Sequence, residues 1–153
     1  MSARATVRAT AEADIREVSK VAAASYADGF AGILDAATLA ERTAGFFAAR
    51  FAEAWPRMTT AALDGRIAGF SLVTDGHIDM LFVAPWAYGS GAGRALLRAA
   101  EGAGARTLEC FADNAKARAF YEHNGWRLTA AYQRSFAGRM MRFVQFSAPV
   151  SRR

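Results

Sequence analysis

Three glycines fall within five positions of the stretch PWAYGSGAGRALL, Pro85 to Leu97. An apolar run, Met80 to Ala84, precedes it, and an Ala/Leu/Arg segment of helical character follows. The start of a helix carries unpaired N–H groups and a partial positive charge. Glycines ahead of it leave no Cβ to keep a ligand off those groups. Such an arrangement can hold an anion. Gly89, Ser90, Gly91, Ala92 and Gly93 would supply backbone donors, and Arg94 a charged contact. The stretch lacks the Gly-Lys-Ser/Thr of a nucleoside-triphosphate loop. A dinucleotide fingerprint would want Gly or Ala at position 94, and a βαβ unit opening the fold. Glu109 does stand about twenty residues on, as that fingerprint asks. A capped turn and a phosphate cradle are both compatible with the stretch by itself.

The surrounding pattern says what positions this loop. ATVRAT (5–10) alternates like a strand, and Ile15, Val18, Val21 and Ala22 then recur at helical spacing. A second helix is expected over about Ala36 to Trp55, stopped by Pro56. The period then changes. Asp64-Gly65 and Asp75-Gly76 separate β-like runs and predict two tight hairpins, with strands at about 58–63, 66–73 and 77–83. After the glycine loop come a helix at about 91–102 and a strand at 107–113. A short helix follows, with Asn114 as N-cap and Asn124-Gly125 as its stop, and then a closing hairpin around Ala137-Gly138. The order β-α-α-β-β-β-α-β-α-β-β fits an α/β (α+β) fold, one mixed sheet with helices on both faces, spanning residues 1–153 as a single domain.

Composition narrows the function. Hydrophobic residues make up 53% of the 153 and charged residues 22%, enough for a compact core. No apolar run approaches a membrane span, and MSARATVRATAEADIREV has no apolar core of a signal peptide, so a cytoplasmic protein is expected. The one cysteine, Cys110, excludes an internal disulfide and a cysteine-based metal site, and is expected to be a buried structural thiol. The two histidines, His77 and His123, have no metal-ligand spacing, and no metal is expected. The net charge of +5 favours anionic ligands over polycations. The basic residues are spread along the chain, with small clusters at Arg134, Arg139 and Arg142 and at Arg152-Arg153, so nucleic-acid binding rests on charge alone.

A second segment, NAKARAFYEHNGW, gives the glycine loop a context. Together with FVAPWAYGSGAGRALL it resembles the GNAT superfamily of acetyl-CoA-dependent N-acetyltransferases. In that family a strand ending Val-x-Pro leads into Gln/Arg-x-x-Gly-x-Gly/Ala. Here the strand ends Val83-Ala84-Pro85 and the loop is Tyr88-Gly89-Ser90-Gly91-Ala92-Gly93. The family's later helix, Asn-x-x-Ala-x-x-Phe-Tyr-x-x-x-Gly-Phe, is matched by Asn114, Ala117, Phe120, Tyr121, Gly125 and Trp126. The resemblance extends to the first strand and helix, and so to nearly the whole chain. Tyr88 departs from it, standing where the family has Gln or Arg.

The resemblance implies a sheet of about seven strands, mostly antiparallel, whose fourth and fifth strands splay to admit acetyl-CoA. Backbone groups of Leu81, Phe82 and Val83 would bond the pantetheine arm, residues 88–94 would hold the pyrophosphate, and Asn114, Ala117 and Phe120 would line the other side. Tyr121 matches the family's general acid, which would protonate the leaving thiolate. An amine must be neutral to attack, and the oxyanion it creates needs a donor, such as a backbone N–H of strand 77–83. His77 and Asp79 alternate onto one face of that strand with Leu81 and Val83, and either could take the amine's proton. Asp79 could instead hold the substrate's ammonium group.

Two readings follow from this. One is an enzyme that moves an acetyl group from acetyl-CoA to a primary amine of a small molecule or peptide, within a ternary complex. The other is a non-catalytic acyl-CoA sensor or structural protein of the same fold. The acceptor would be set by the first helix pair and the last hairpin. These carry Tyr26, Phe30, Phe46, Phe47, Phe51, Trp55, Tyr132 and Phe136, most of them expected in the core, while Arg134 and Arg139 could read a substrate carboxylate. A homodimer is compatible with the resemblance.

Overall fold

The computed structural model describes residues 4–150; the terminal pair Arg152-Arg153 lies outside them. Seven strands form one sheet in the order β1-β2-β3-β4-β5-β7-β6. They are β1 (Ala5–Ala9), β2 (Met58–Leu63), β3 (Arg66–Thr74), β4 (His77–Val83), β5 (Thr107–Phe111), β6 (Arg127–Phe136) and β7 (Arg139–Ser147). Only the β4–β5 pair is parallel. The helices are α1 (Ile15–Gly29), α2 (Ala36–Glu41), α3 (Ala44–Ala54), α4 (Ala92–Gly102) and α5 (Ala115–His123).

The three tight turns form as their dipeptides require. Asp64-Gly65, Asp75-Gly76 and Ala137-Gly138 all have positive φ at both positions, the backbone that suits a two-residue hairpin to twisted strands. The expected long second helix is instead two helices. Asp35 caps α2 by accepting from the Thr38 N–H (2.7 Å), and Thr43 caps α3 by accepting from the Phe46 N–H (3.1 Å). Between them Arg42 leaves helical geometry at φ −85°, ψ 59°. A threonine that bonds a backbone N–H three residues on competes with helix continuation, so the chain restarts there.

The two faces of the sheet have separate cores. Val18, Ala22, Phe47, Phe51, Phe70, Met80 and Phe111 join α1 and α3 to one face. Ile78, Leu97, Leu108, Tyr121, Trp126 and Phe146 join α4 and α5 to the other. Burying a side chain such as Phe47 or Phe146 contributes roughly 1.5–3 kcal/mol. β3 and β4 come unusually close at Gly69, where a Cβ would lie 2.7 Å from the Phe82 carbonyl oxygen. A glycine is required there by the approach of the backbones.

Candidate active site

β4 and β5 pair only at His77↔Thr107 and Ile78↔Leu108. Beyond Ile78 the strands part, and the β5-facing edge of β4 has no strand partner among the described residues. The opening is one continuous cleft of about 1050 Å³. Its walls include every residue singled out for catalysis or cofactor binding except Ser90, which lies on the outer side of the loop.

At one end stands the glycine loop. Gly89 and Gly91 take positive φ (+78° and +91°), and Gly91 is the N-cap of α4. Ser90 turns its hydroxyl inward to accept from the Ala92 N–H (3.2 Å), while its own N–H goes to the Ala87 carbonyl. The N–H groups of Gly89, Gly91, Gly93 and Arg94 find no protein acceptor among the described residues. A nest of unsatisfied donors at a helix start, with Arg94 beside it, fits the pyrophosphate of a coenzyme. Gly93 lets α4 pack on Val83 and Phe120. Asn114 caps α5 by accepting from the Ala117 N–H (3.1 Å) and lines the cleft as well.

Tyr88 is tied down. Its hydroxyl donates to Asp28 (2.8 Å) and its ring lies 3.8 Å beneath the Lys116 ammonium. Partial burial and the Asp28 carboxylate push its hydroxyl up to about 12, so the phenol stays neutral. It links α1 and α5 across the mouth of the loop.

Tyr121 occupies the α4/α5 side, its ring packed among Phe120, Trp126 and Phe146. Burial pushes its hydroxyl well above the usual tyrosine value, and the neighbouring Cys110 adds to this. It is thus held as a neutral donor, and no protein group among the described residues accepts from it. Cys110 is only half-buried; burial pushes its thiol up to about 11, so it stays protonated, as an inert thiol would.

His77 and Asp79 require a correction. Simple alternation would put them on one face with Leu81 and Val83. The register slips by one residue, with Leu72 opposite Met80 but Val73 opposite Ile78, so Asp79 is an extra residue in β4. Ile78 therefore shares the α4/α5 face with Leu81, while Met80 and Phe82 face α1. His77 lies on the α1 side, where its Nδ1 is 2.8 Å from the Thr107 hydroxyl, and Asp79 is exposed at the bulge.

Beside them, Glu109 was passed over as a site residue on sequence. Burial opposes its charge, but hydrogen bonds from Arg134 (Nε, 2.7 Å) and the Tyr132 hydroxyl outweigh that and hold the carboxyl below its ordinary value. Glu109 is an engaged carboxylate, poorly suited to take a proton. An acid in the otherwise apolar strand TLECF was the signal for it. Of the two arginines considered as carboxylate readers, Arg134 lines the cleft; Arg139 pairs with Asp35 (3.0 Å) away from it. Arg50, Asp28 and Ser25, all in the cleft wall, were not anticipated. Ser25 donates to the Val83 carbonyl (2.8 Å), fixing α1 to the end of β4. Phe47 and Phe51 are core, whereas Tyr26, Phe30 and Phe136 reach the cleft.

The profile of the acetyltransferase (GNAT) domain matches residues 44–147. The chain belongs to the GNAT acetyltransferase family. Solved structures share its architecture. YjaB from Escherichia coli, in its apo form, is 21% identical with a TM-score of 0.80, covering 94% of this chain and 96% of its own. The PaiA N-acetyltransferase of Thermoplasma acidophilum, solved with coenzyme A, is 15% identical with a TM-score of 0.66, covering 94% and 98%. YncA from Salmonella typhimurium, solved with acetyl-CoA, is 18% identical with a TM-score of 0.64, covering 97% and 95%. No curated protein sequence matches the chain. As a GNAT domain, the chain has acyl-CoA-dependent acetyl transfer as its activity class, and the splayed strands and the donor nest are the features of this GNAT chain that suit such a donor. No helix among the described residues is long and apolar enough to cross a membrane, and no group of three or more His, Cys, Asp or Glu side chains among them is placed to hold a metal ion.

Proposed function

We propose that this protein is an N-acetyltransferase that moves the acetyl group of acetyl-CoA directly to a primary amine within a ternary complex. The observation that carries this reading is the opening between β4 and β5. It brings into one cleft a neutral tyrosine on one face of the sheet, a histidine on the other and the Asp79 carboxyl group at the bulge. The pyrophosphate would sit on the N–H groups of Gly89, Gly91, Gly93 and Arg94. The pantetheine arm would follow the open edge of β4 at Leu81, Phe82 and Val83, with Asn114, Ala117 and Phe120 opposite.

His77 or Asp79 takes the proton of the attacking ammonium or amine, directly or through water. The amine nitrogen bonds to the acetyl carbon, and a β4 backbone N–H steadies the oxyanion. The C–S bond then breaks, and Tyr121 gives its proton to the departing thiolate. Two charges develop on opposite sides of the sheet, where separate groups meet them. Release of free thiol from acetyl-CoA, measured against a panel of amines, amino acids, aminoglycosides and peptides, tests the reading. Turnover with none of them, alongside intact acetyl-CoA binding, would favour a sensor of the same fold.

A further inference from the structure

The cleft wall holds a cation that no carboxylate among the described residues pairs. Arg50, exposed on α3, lines the cleft and makes no ion pair among the described residues. Arg42, in the break between α2 and α3, does not itself line the cleft. Its side chain is only 13% exposed, and the guanidinium is 4.5 Å from the centroid of Phe46 and 5.7 Å from that of Phe136. Its one carboxylate is Glu41 at 3.8 Å, which is itself 73% exposed. The Tyr26 hydroxyl is a further partner of Arg42, so this guanidinium is already engaged by the protein. Arg134 approaches the same Phe136 ring (5.8 Å), but Glu109 already engages it. The Tyr26 hydroxyl lies within the electrostatic reach of all three arginines.

The acids of the cleft wall are Asp28, Asp79 and Glu109. Asp28 is engaged by Tyr88. Asp79 and Glu109 sit where β4 and β5 begin to part, one step beyond the Ile78↔Leu108 rung. The cleft thus holds Asp79 where the strands part and the Arg50 guanidinium on α3, neither in an ion pair among the described residues. That polarity matches a zwitterion whose ammonium end faces the reacting edge.

We propose that the acceptor is a small amine that also carries a carboxylate, bound by Arg50 beside the Tyr26 hydroxyl. This rests on the acetyltransferase reading above and gives it a substrate class. Guanidinium binds carboxylate through paired, charge-assisted hydrogen bonds, which an amide cannot replace.

The test uses matched pairs: straight-chain ω-amino acids of increasing length and L-phenylalanine, each against its primary amide. With thiol release as readout, the carboxylate should exceed its amide in kcat/KM by roughly tenfold or more at the best length. R50Q should remove most of that preference, chiefly through KM, and R50K should keep part of it. Amides used as well as acids, or a preference unchanged in R50Q, would overturn the proposal. So would a phosphonate analogue preferred over the carboxylate of equal length. If no amine releases thiol, the transfer reading fails on its own. The anion site is then read by ligand-observed NMR with the same amino acids, which should bind the wild type and lose contact with R50Q. Equal binding to both would overturn it.

Discussion

Replacing Tyr121 with phenylalanine is the sharpest test of the transfer chemistry. The ring is held by Phe120, Trp126 and Phe146, and phenylalanine keeps those contacts. The hydroxyl has no protein acceptor to lose, so the melting temperature should move by no more than about 2 °C. Acetyl-CoA affinity should be unchanged for the same reason. What disappears is a proton at the departing sulfur. General acids contribute about 10²- to 10⁴-fold, and a thiol of pKa near 8.5 is a tolerable leaving group, so the loss belongs at the low end, about 10²-fold in kcat. Burial raises the Tyr121 hydroxyl, so this donor remains protonated throughout the pH range in which the amine is neutralised. The wild type should therefore show no alkaline decline from this group. The assay is thiol release at saturating acetyl-CoA, with calorimetric binding of acetyl-CoA as control. A variant within about threefold of wild type in kcat, with binding intact, would refute the general-acid role.

Further consequences can be measured independently. Gly69→Ala would push a Cβ to 2.7 Å from the Phe82 carbonyl and force β3 from β4, costing roughly 1–3 kcal/mol in denaturant unfolding; an unchanged midpoint would mean the strands yield easily. Phe47→Ala, emptying a fully buried site under α3, should cost about 3–5 kcal/mol by the same measurement. Asp35 is held down to about 2 by the Thr38 N–H first and then by Thr38 and Arg139 side chains. A depressed carboxyl contributes stability above its unfolded value of 3.8 and loses it as pH falls towards 2. Asp35→Asn should therefore narrow the difference in stability between pH 4 and pH 2, and an identical acid limb would contradict the cap. Tyr88→Gln, restoring the residue type of related loops, should tighten acetyl-CoA in calorimetry; weaker binding would show that the tie to Asp28 serves the coenzyme better.

Much of this was legible because local rules and fold agree. Asp-Gly turns set two hairpins, and Asn114 set the start of α5, since each is decided by a few neighbouring residues. The splay of β4 from β5 came from the family resemblance, not from spacing. The break at Arg42 was missed because the apolar pattern runs through it, and only the Thr43 hydroxyl reveals the restart. Arg50 and Glu109 were missed for a different reason. Their roles depend on partners on other elements, Tyr26 on α1 and Arg134 on β6, and sequence spacing carries no such information.

The bulge at Asp79 shows how a single residue can organise the site. Without it, His77 would share a face with Leu81 and Val83, the edge assigned here to the pantetheine arm. It would then stand on the coenzyme's side of the sheet, far from any amine arriving beneath α1. The extra residue reverses the phase of β4, so His77 joins Met80 and Phe82 on the α1 face while Leu81 stays with Tyr121. Thr107 then fixes the imidazole through Nδ1. In the tautomer whose Nδ1–H donates to the Thr107 hydroxyl, Nε2 is the atom left to accept a proton. In the proposed mechanism acid and base thus stand on different faces of the sheet, Tyr121 on one and His77 on the other. Addition to the thioester carbon and loss of the thiolate are successive steps through a tetrahedral intermediate, so the two proton transfers can be served by separate groups.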